Sequence, residues 1–134
     1  SMNAAIGTVG SIEPPPGGRR VLVLGDMLEL GAASDSAHRG VAQAAKEGGF
    51  ELTVGVGPAM SRAIRDLGGA GVRTEDEFDD AAAERVAGLL RPGDVVLLKG
   101  SRGTRVERVL EARRMSEAAG PPEPKAGAGV GVAR

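Results

Sequence analysis

Residues 95–110 read VVLLKGSRGTRVERVL, and the fold turns on the join between Leu98 and Lys99. Val95 to Leu98 form an unbroken apolar run, the pattern of a strand covered on both faces rather than wetted on one. Lys99, Gly100, Ser101, Arg102 and Gly103 follow at once, so a buried strand hands over to a flexible, cationic loop. Beyond it, Thr104 and Glu107 stand at the spacing of a capping box, in which each side chain satisfies an orphan amide of the other. The pattern predicts a helix from Thr104 to about Met115, with Val106, Val109 and Leu110 facing the sheet.

The same hand-over recurs upstream. Arg19 and Arg20 lead into VLVLG, a second all-apolar strand. Ser34 reads as the N-cap of a helix whose Ala37, Val41, Ala44 and Ala45 share a face, closed by Gly48-Gly49. ELTVGVG gives another strand, and Pro58 opens a helix carrying Met60, Ala63, Ile64 and Leu67 at helical spacing. A short strand near Gly71 to Thr74 precedes a helix with Phe78, Ala82, Val86 and Leu89 on one face, ended by Pro92-Gly93. Strands alternating with helices imply right-handed crossovers and a parallel sheet covered on both sides. The expected fold class is α/β, a Rossmann-like three-layer domain with a mainly parallel sheet of strand order 3-2-1-4. Residues 1–18, which open on a pattern that allows a short helix after Ser1 and break at Pro14-Pro15-Pro16-Gly17-Gly18, read as a linker or hinge-proximal segment. Residues 19–114 read as the domain, and 115–134, rich in Ala, Gly and Pro without periodicity, as a flexible tail.

A chain of 134 residues has room for one ordinary domain. Its 17 Lys and Arg against 18 Asp and Glu leave a net charge of -1, which gives nucleic acid no electrostatic hold. With Phe50 and Phe78 as the whole aromatic content, base stacking has no platform either. The absence of cysteine removes disulfides, thiolate catalysis and Cys-zinc sites. No apolar run of membrane length and no signal-peptide pattern is readable. The expectation is a soluble, cytoplasmic chain with no nucleic-acid or membrane partner.

In open parallel sheets ligands gather beyond the carboxyl ends of the strands, where the strand order reverses. There the topology places GDMLELG, after the first strand, beside KGSRG, after the fourth. A loop that ends at a helix N-terminus and carries Lys99, Arg102 and the Ser101 hydroxyl suits an anion. The same residues also read as a tight turn between two solvated cations. Asp26 and Glu29 are acceptors for an ammonium, a ribose hydroxyl or Lys99 itself. His38, one turn after Ser34, reads as a catalyst or as a hydrogen-bonded structural residue, and with no second histidine it builds no metal site. A G-x-x-x-x-G-K-[ST] stretch is missing, and Gly55-Val56-Gly57 lacks the third glycine of a dinucleotide fingerprint because Met60 stands there. No catalytic residue stands out.

Three stretches, RRVLVLGDMLELGAASDSAHRGVA, TVGVGPAMSRAI and GDVVLLKGSRGTRVERVLEA, resemble the C-terminal domain of the Mur ligase family. The branch they are most similar to is the MurF type, which adds D-alanyl-D-alanine to UDP-N-acetylmuramoyl-tripeptide in peptidoglycan precursor synthesis. The likeness runs from about Arg19 to Ala112. It implies a three-domain, ATP-dependent amide ligase whose N-terminal domain holds the UDP end and whose central domain carries the P-loop, ATP and Mg2+. The C-terminal domain closes over both. The resemblance implies substrate or nucleotide contacts for Asp26, Glu29, Ser34, His38, Lys99, Ser101 and Arg102: Lys99 or Arg102 to carboxylate or phosphate, Asp26 or Glu29 to amine or ribose. It also implies that this part alone is inactive and binds no nucleotide tightly. The competing expectation is a free-standing Rossmann-like module that holds a phosphate-bearing ligand on KGSRG, or an interaction module with no small ligand.

Overall fold

The computed structural model describes residues 2–27, 33–118 and the backbone of 132–133. The chain forms α1 (Met2–Gly10), β1 (Arg20–Gly25), α2 (Ser34–Glu47), β2 (Leu52–Val56), α3 (Pro58–Leu67), β3 (Val72–Glu75), α4 (Asp80–Ala87) and β4 (Asp94–Lys99). A short 3-10 turn (Arg102–Thr104), α5 (Arg108–Ala118) and β5 (Val132–Ala133) complete it. The strands pair in parallel in the order β3-β2-β1-β4-β5. The first four keep the expected order 3-2-1-4, and β5 adds a pair on the outer edge of β4, with Val132 opposite Asp94.

β1 is the centre of the sheet and is buried on both faces, which is why its sequence does not alternate with polar residues. Val21 and Val23 point into a core with Leu52, Val54, Val56, Val86 and Val109, the α4 and α5 side. Leu22 and Leu24 point the other way, against Val41, Met60 and Ile64 on α2 and α3. Each such side chain contributes about 1.5–3 kcal/mol when fully buried, so the β1 alternation holds both helical layers to one sheet.

The segment expected as a linker is seated on this second core. Met2 and Ile6, one turn apart on α1, are 8% and 3% exposed. The Arg20 guanidinium ties down the end of α1 by donating to the Gly10 carbonyl at 2.6 Å, while lying over the Phe50 ring. The last helix departs from expectation at both ends. It starts at Arg108 rather than Thr104, because Arg105 adopts a left-handed conformation (φ 56°) that interrupts helical geometry. It runs on to Ala118, so the expected tail from residue 115 begins inside the helix and ends in β5, with 119–131 outside the described residues. α4 is shorter than its apolar pattern implied: Asp79 caps it, accepting the Ala82 N–H at 2.8 Å, and Phe78 and Leu89 pack on the core from beyond its ends. No helix among the described residues is long and apolar enough to cross a membrane.

At the amino end of the sheet Arg19 grips Asp94 with two hydrogen bonds of 3.0 and 2.8 Å and donates to the Leu89 carbonyl. Asp94 is 1% exposed and also accepts the Arg91 N–H. The bond to Asp94 and its charge raise the Arg19 pKa, against burial, which lowers it. Arg19→Ala strands a buried carboxylate, so urea unfolding should show a loss of about 3 kcal/mol; a change within error would mean the pair does not hold β1 to β4.

Candidate functional site

The carboxyl rim of the sheet is organised around Asp26, the residue after β1, which is 6% exposed. α3 begins at Pro58 behind Gly57, which has no side chain to cap it. Asp26 reaches across instead: its carboxylate accepts the Met60 N–H at 2.8 Å and the Ala59 N–H at 3.3 Å. A carboxylate on the first-turn amides of a helix is favoured both by those bonds and by the helix dipole. The arrangement requires glycine at 57, where φ is 95° and a Cβ would stand 2.7 Å from the Asp26 carboxyl carbon.

The backbone of the same residue reaches the other loop. The Asp26 carbonyl accepts the Ser101 N–H at 3.0 Å and the Thr104 hydroxyl at 3.1 Å. The two chains lie so close that a Cβ on Gly100 would come within 3.0 Å of the Gly25 Cα. The sequence expectation that GDM and KGSRG meet on one rim therefore holds at the level of backbone hydrogen bonds. Lys99 and Arg102 project from this joined rim as exposed side chains, and no ion pair to either is formed among the described residues. Ser101 is half-buried beside them.

Three expectations change here. KGSRG does not run directly into a helix N-terminus; its Arg102 and Gly103 form a 3-10 turn with Thr104, the left-handed Arg105 follows, and α5 starts only at Arg108. Asp26 is not a free acceptor and does not pair with Lys99, since its carboxylate is held by α3. Ser34 is the first residue of α2, not its cap, a position taken by Ala33. The His38 ring is buried, bonded to the Met27 N–H at 2.9 Å and facing the Ser34 carbonyl at 2.7 Å. Glu29 lies outside the described residues. The residues that sequence reasoning missed are Thr104, assigned to a capping box, and Gly57, read only as half of a weak fingerprint.

Next along the rim, beyond β3, Arg65 holds Asp76 at 2.8 Å, and Arg85 holds Glu75 at 2.7 Å. The hydrogen bond from Arg65, followed by its charge, keeps the Asp76 carboxyl below its ordinary range. A depressed carboxylate contributes above its unfolded-state pKa, and that contribution is lost as the pH falls through the folded value. Both partners are exposed, so the effect on stability is small, but the titration itself is measurable. Asp76 should titrate below a free aspartate by NMR, and Arg65→Ala should return it upward; an unmoved midpoint would contradict the pairing.

The described residues contain no group of three or more His, Asp or Glu side chains able to hold a metal ion, and the sequence has no P-loop. This donor set does not by itself fit a magnesium nucleotide. An open groove of about 510 Å³ lies between α4 and α5, lined by Ala83, Ala87, Arg108, Ala112 and Met115. A smaller hollow of about 240 Å³ lies between α2 and α3 near Phe50 and Leu67. Neither includes Asp26, Lys99, Ser101 or Arg102.

The family described as "Mur ligase, glutamate ligase domain" matches residues 1–102. The chain belongs to the Mur ligase family. It is 38% identical over 114 residues to the UDP-N-acetylmuramoyl-tripeptide--D-alanyl-D-alanine ligase of Escherichia coli K12, a match covering 84% of this chain and 24% of that protein. The ligase of the same name from Treponema pallidum is 37% identical over 93 residues, 67% of this chain and 20% of that protein. The Mur ligase chain thus spans about a quarter or less of the curated relatives it matches. Two solved structures share its fold at 24% identity. The MurF ligase of Thermotoga maritima in complex with ADP has a TM-score of 0.62 over 85% of this chain and 25% of that one. MurF of Acinetobacter baumannii has a TM-score of 0.67 over 87% and 26%.

Within the Mur ligase fold the Asp26 side chain is a structural clamp. Asp26→Ala leaves two amide donors of α3 unpaired and should cost about 1–3 kcal/mol in chemical unfolding, with Asp26→Asn losing less because one acceptor oxygen remains. Equal, negligible losses would show that the α3 cap is dispensable.

Proposed function

We propose that this chain is the C-terminal, substrate-closing domain of an ATP-dependent ligase that joins D-alanyl-D-alanine to UDP-N-acetylmuramoyl-tripeptide. The folded unit of this reading is residues 19–114 with α1 seated on it. The observation that carries it is the 38% identity to a ligase of that name along 84% of the chain. The geometry supports it, because the paired loops are joined at the backbone and present Lys99 and Arg102 as exposed cations. Such a face becomes a site when other domains close against it, excluding water from a reactive acyl phosphate.

In this reading the N-terminal and central domains act in cis. ATP and Mg2+ belong to the central domain, where they supply the phosphoryl group that activates the tripeptide carboxylate. Lys99 and Arg102 are the charge this chain brings: they match the carboxylate of the incoming dipeptide or a phosphate. Ser101 adds a hydroxyl beside them. Asp26, Ser34 and His38 act one step back, fixing the loops from which those groups project.

The test is kinetic, in the full-length ligase. Lys99→Ala or Arg102→Ala removes a charge-assisted hydrogen bond, so kcat/KM for D-alanyl-D-alanine should fall by roughly 10–100-fold with the melting temperature unchanged. The isolated chain should form no amide with either substrate. Normal dipeptide kinetics in both variants would remove these cations from the site, and activity of the isolated chain would overturn the reading of it as a closing domain.

A further inference from the structure

His38 is the single histidine of the chain, and the ligase reading gives it no contact with substrate. It is 1% exposed and its ring is held between two backbone groups. Nε2 accepts the Met27 N–H at 2.9 Å. Nδ1 lies 2.7 Å from the Ser34 carbonyl oxygen, with the Ser34 hydroxyl at 3.2 Å. A carbonyl can only accept and an amide N–H can only donate, so the hydrogen must sit on Nδ1 and Nε2 must be bare. These partners select one neutral tautomer. An imidazolium carries hydrogens on both nitrogens, and the one on Nε2 would point at the Met27 N–H.

We propose that His38 is a positioning residue that acts as a proton-sensitive latch: neutral, it holds the chain after β1 at Met27; protonated, it releases it. Met27 follows Asp26, the residue that ties this loop to Ser101, Thr104 and α3, so release at Met27 loosens the rim from its β1 side.

Among the described residues, the surroundings offer the charged form little compensation. α1 has no titratable side chain. On α2, Asp35 and Arg39 are exposed, and Lys46 and Glu47 stand at the far end. On α3, Arg62, Arg65 and Asp66 are exposed, and Arg65 is engaged with Asp76. The Asp26 carboxylate faces Ala59 and Met60. Glu29 lies outside the described residues.

That loosening the rim slows the reaction rests on the ligase reading; the latch does not. Because there is one histidine, 15N NMR of the whole chain reads its ring without ambiguity. The expected spectrum at neutral pH has a protonated Nδ1 and a bare Nε2. On acidification the ring should titrate with the same midpoint at which the Met27 amide shifts and loses protection from exchange. His38→Gln, whose Oε1 can accept the Met27 N–H but cannot titrate, should keep the protection and lose the pH step. His38→Asn, too short to reach, should lose the protection at every pH while circular dichroism stays native. A protonated Nε2 at neutral pH, a Met27 amide that ignores the ring, or a pH step surviving in His38→Gln would overturn the latch. In the full ligase, kcat/KM for the dipeptide should drop in acid and the drop should flatten in His38→Gln. If the NMR results hold while the activity profile is identical in both proteins, it is the reading of this rim as substrate-facing that fails.

Discussion

One residue makes a rim out of three separate loops. The Asp26 carboxylate closes the N-terminus of α3, and its carbonyl oxygen takes both the Ser101 N–H and the Thr104 hydroxyl. In an open parallel sheet the loops on either side of the switch point usually diverge and leave a crevice. Here they are cross-linked at the backbone, and glycines at 25 and 100 let them approach until no side chain fits between them. The loop that carries Lys99, Ser101 and Arg102 is thereby fixed from below, which in the proposed ligase reading lowers the ordering cost of binding.

The stability of that arrangement derives from β1. Its side chains alternate between two cores while its ends are anchored differently, by the Arg19–Asp94 pair at the amino end and by Asp26 at the carboxyl end. The amino end is a structural grip with both charges spent. At the carboxyl end the exposed cations remain available, and the contacts beneath them are hydrogen bonds to backbone rather than ion pairs. Such a rim keeps its shape without neutralising the charge it presents.

Much of this could be read from the sequence. VLVLG and VVLL are too uniformly apolar for edge strands of a half-wet sheet, and with strands alternating with helices the Rossmann-like order 3-2-1-4 made β1 and β4 neighbours and set their loops side by side. The helices over 34–47 and 58–67 followed from spacing and from Gly and Pro punctuation. What escaped was longer in range. The partners of Asp26 lie 33 and 34 residues away, and no local pattern distinguishes a carboxylate that caps a distant helix from one that waits for a ligand. Thr104 and Glu107 had the right spacing for a capping box, yet the left-handed Arg105 between them diverts the chain, and the Thr104 hydroxyl goes to Asp26 instead. Residues 1–18 read as a short helix after Ser1 that breaks at Pro14 to Gly18 into a linker; in the structure Met2 and Ile6 of the nine-residue α1 are buried and Arg20 donates to the Gly10 carbonyl at its end. The KGSRG loop was placed correctly and its setting was not, since the 3-10 turn that begins within it at Arg102 has no sequence signature.

The account stands on the link between the β1 and β4 loops, and amide hydrogen exchange of the intact chain reads that link directly. Because the Ser101 N–H is given to a main-chain carbonyl, it should exchange as slowly as the β1 amides. It should stay slow when Asp26 is changed to Ala, while the Ala59 and Met60 amides become fast. A Ser101 amide exchanging at the rate of an open loop in the unaltered protein would mean that the two loops are merely neighbours and that no preformed rim exists.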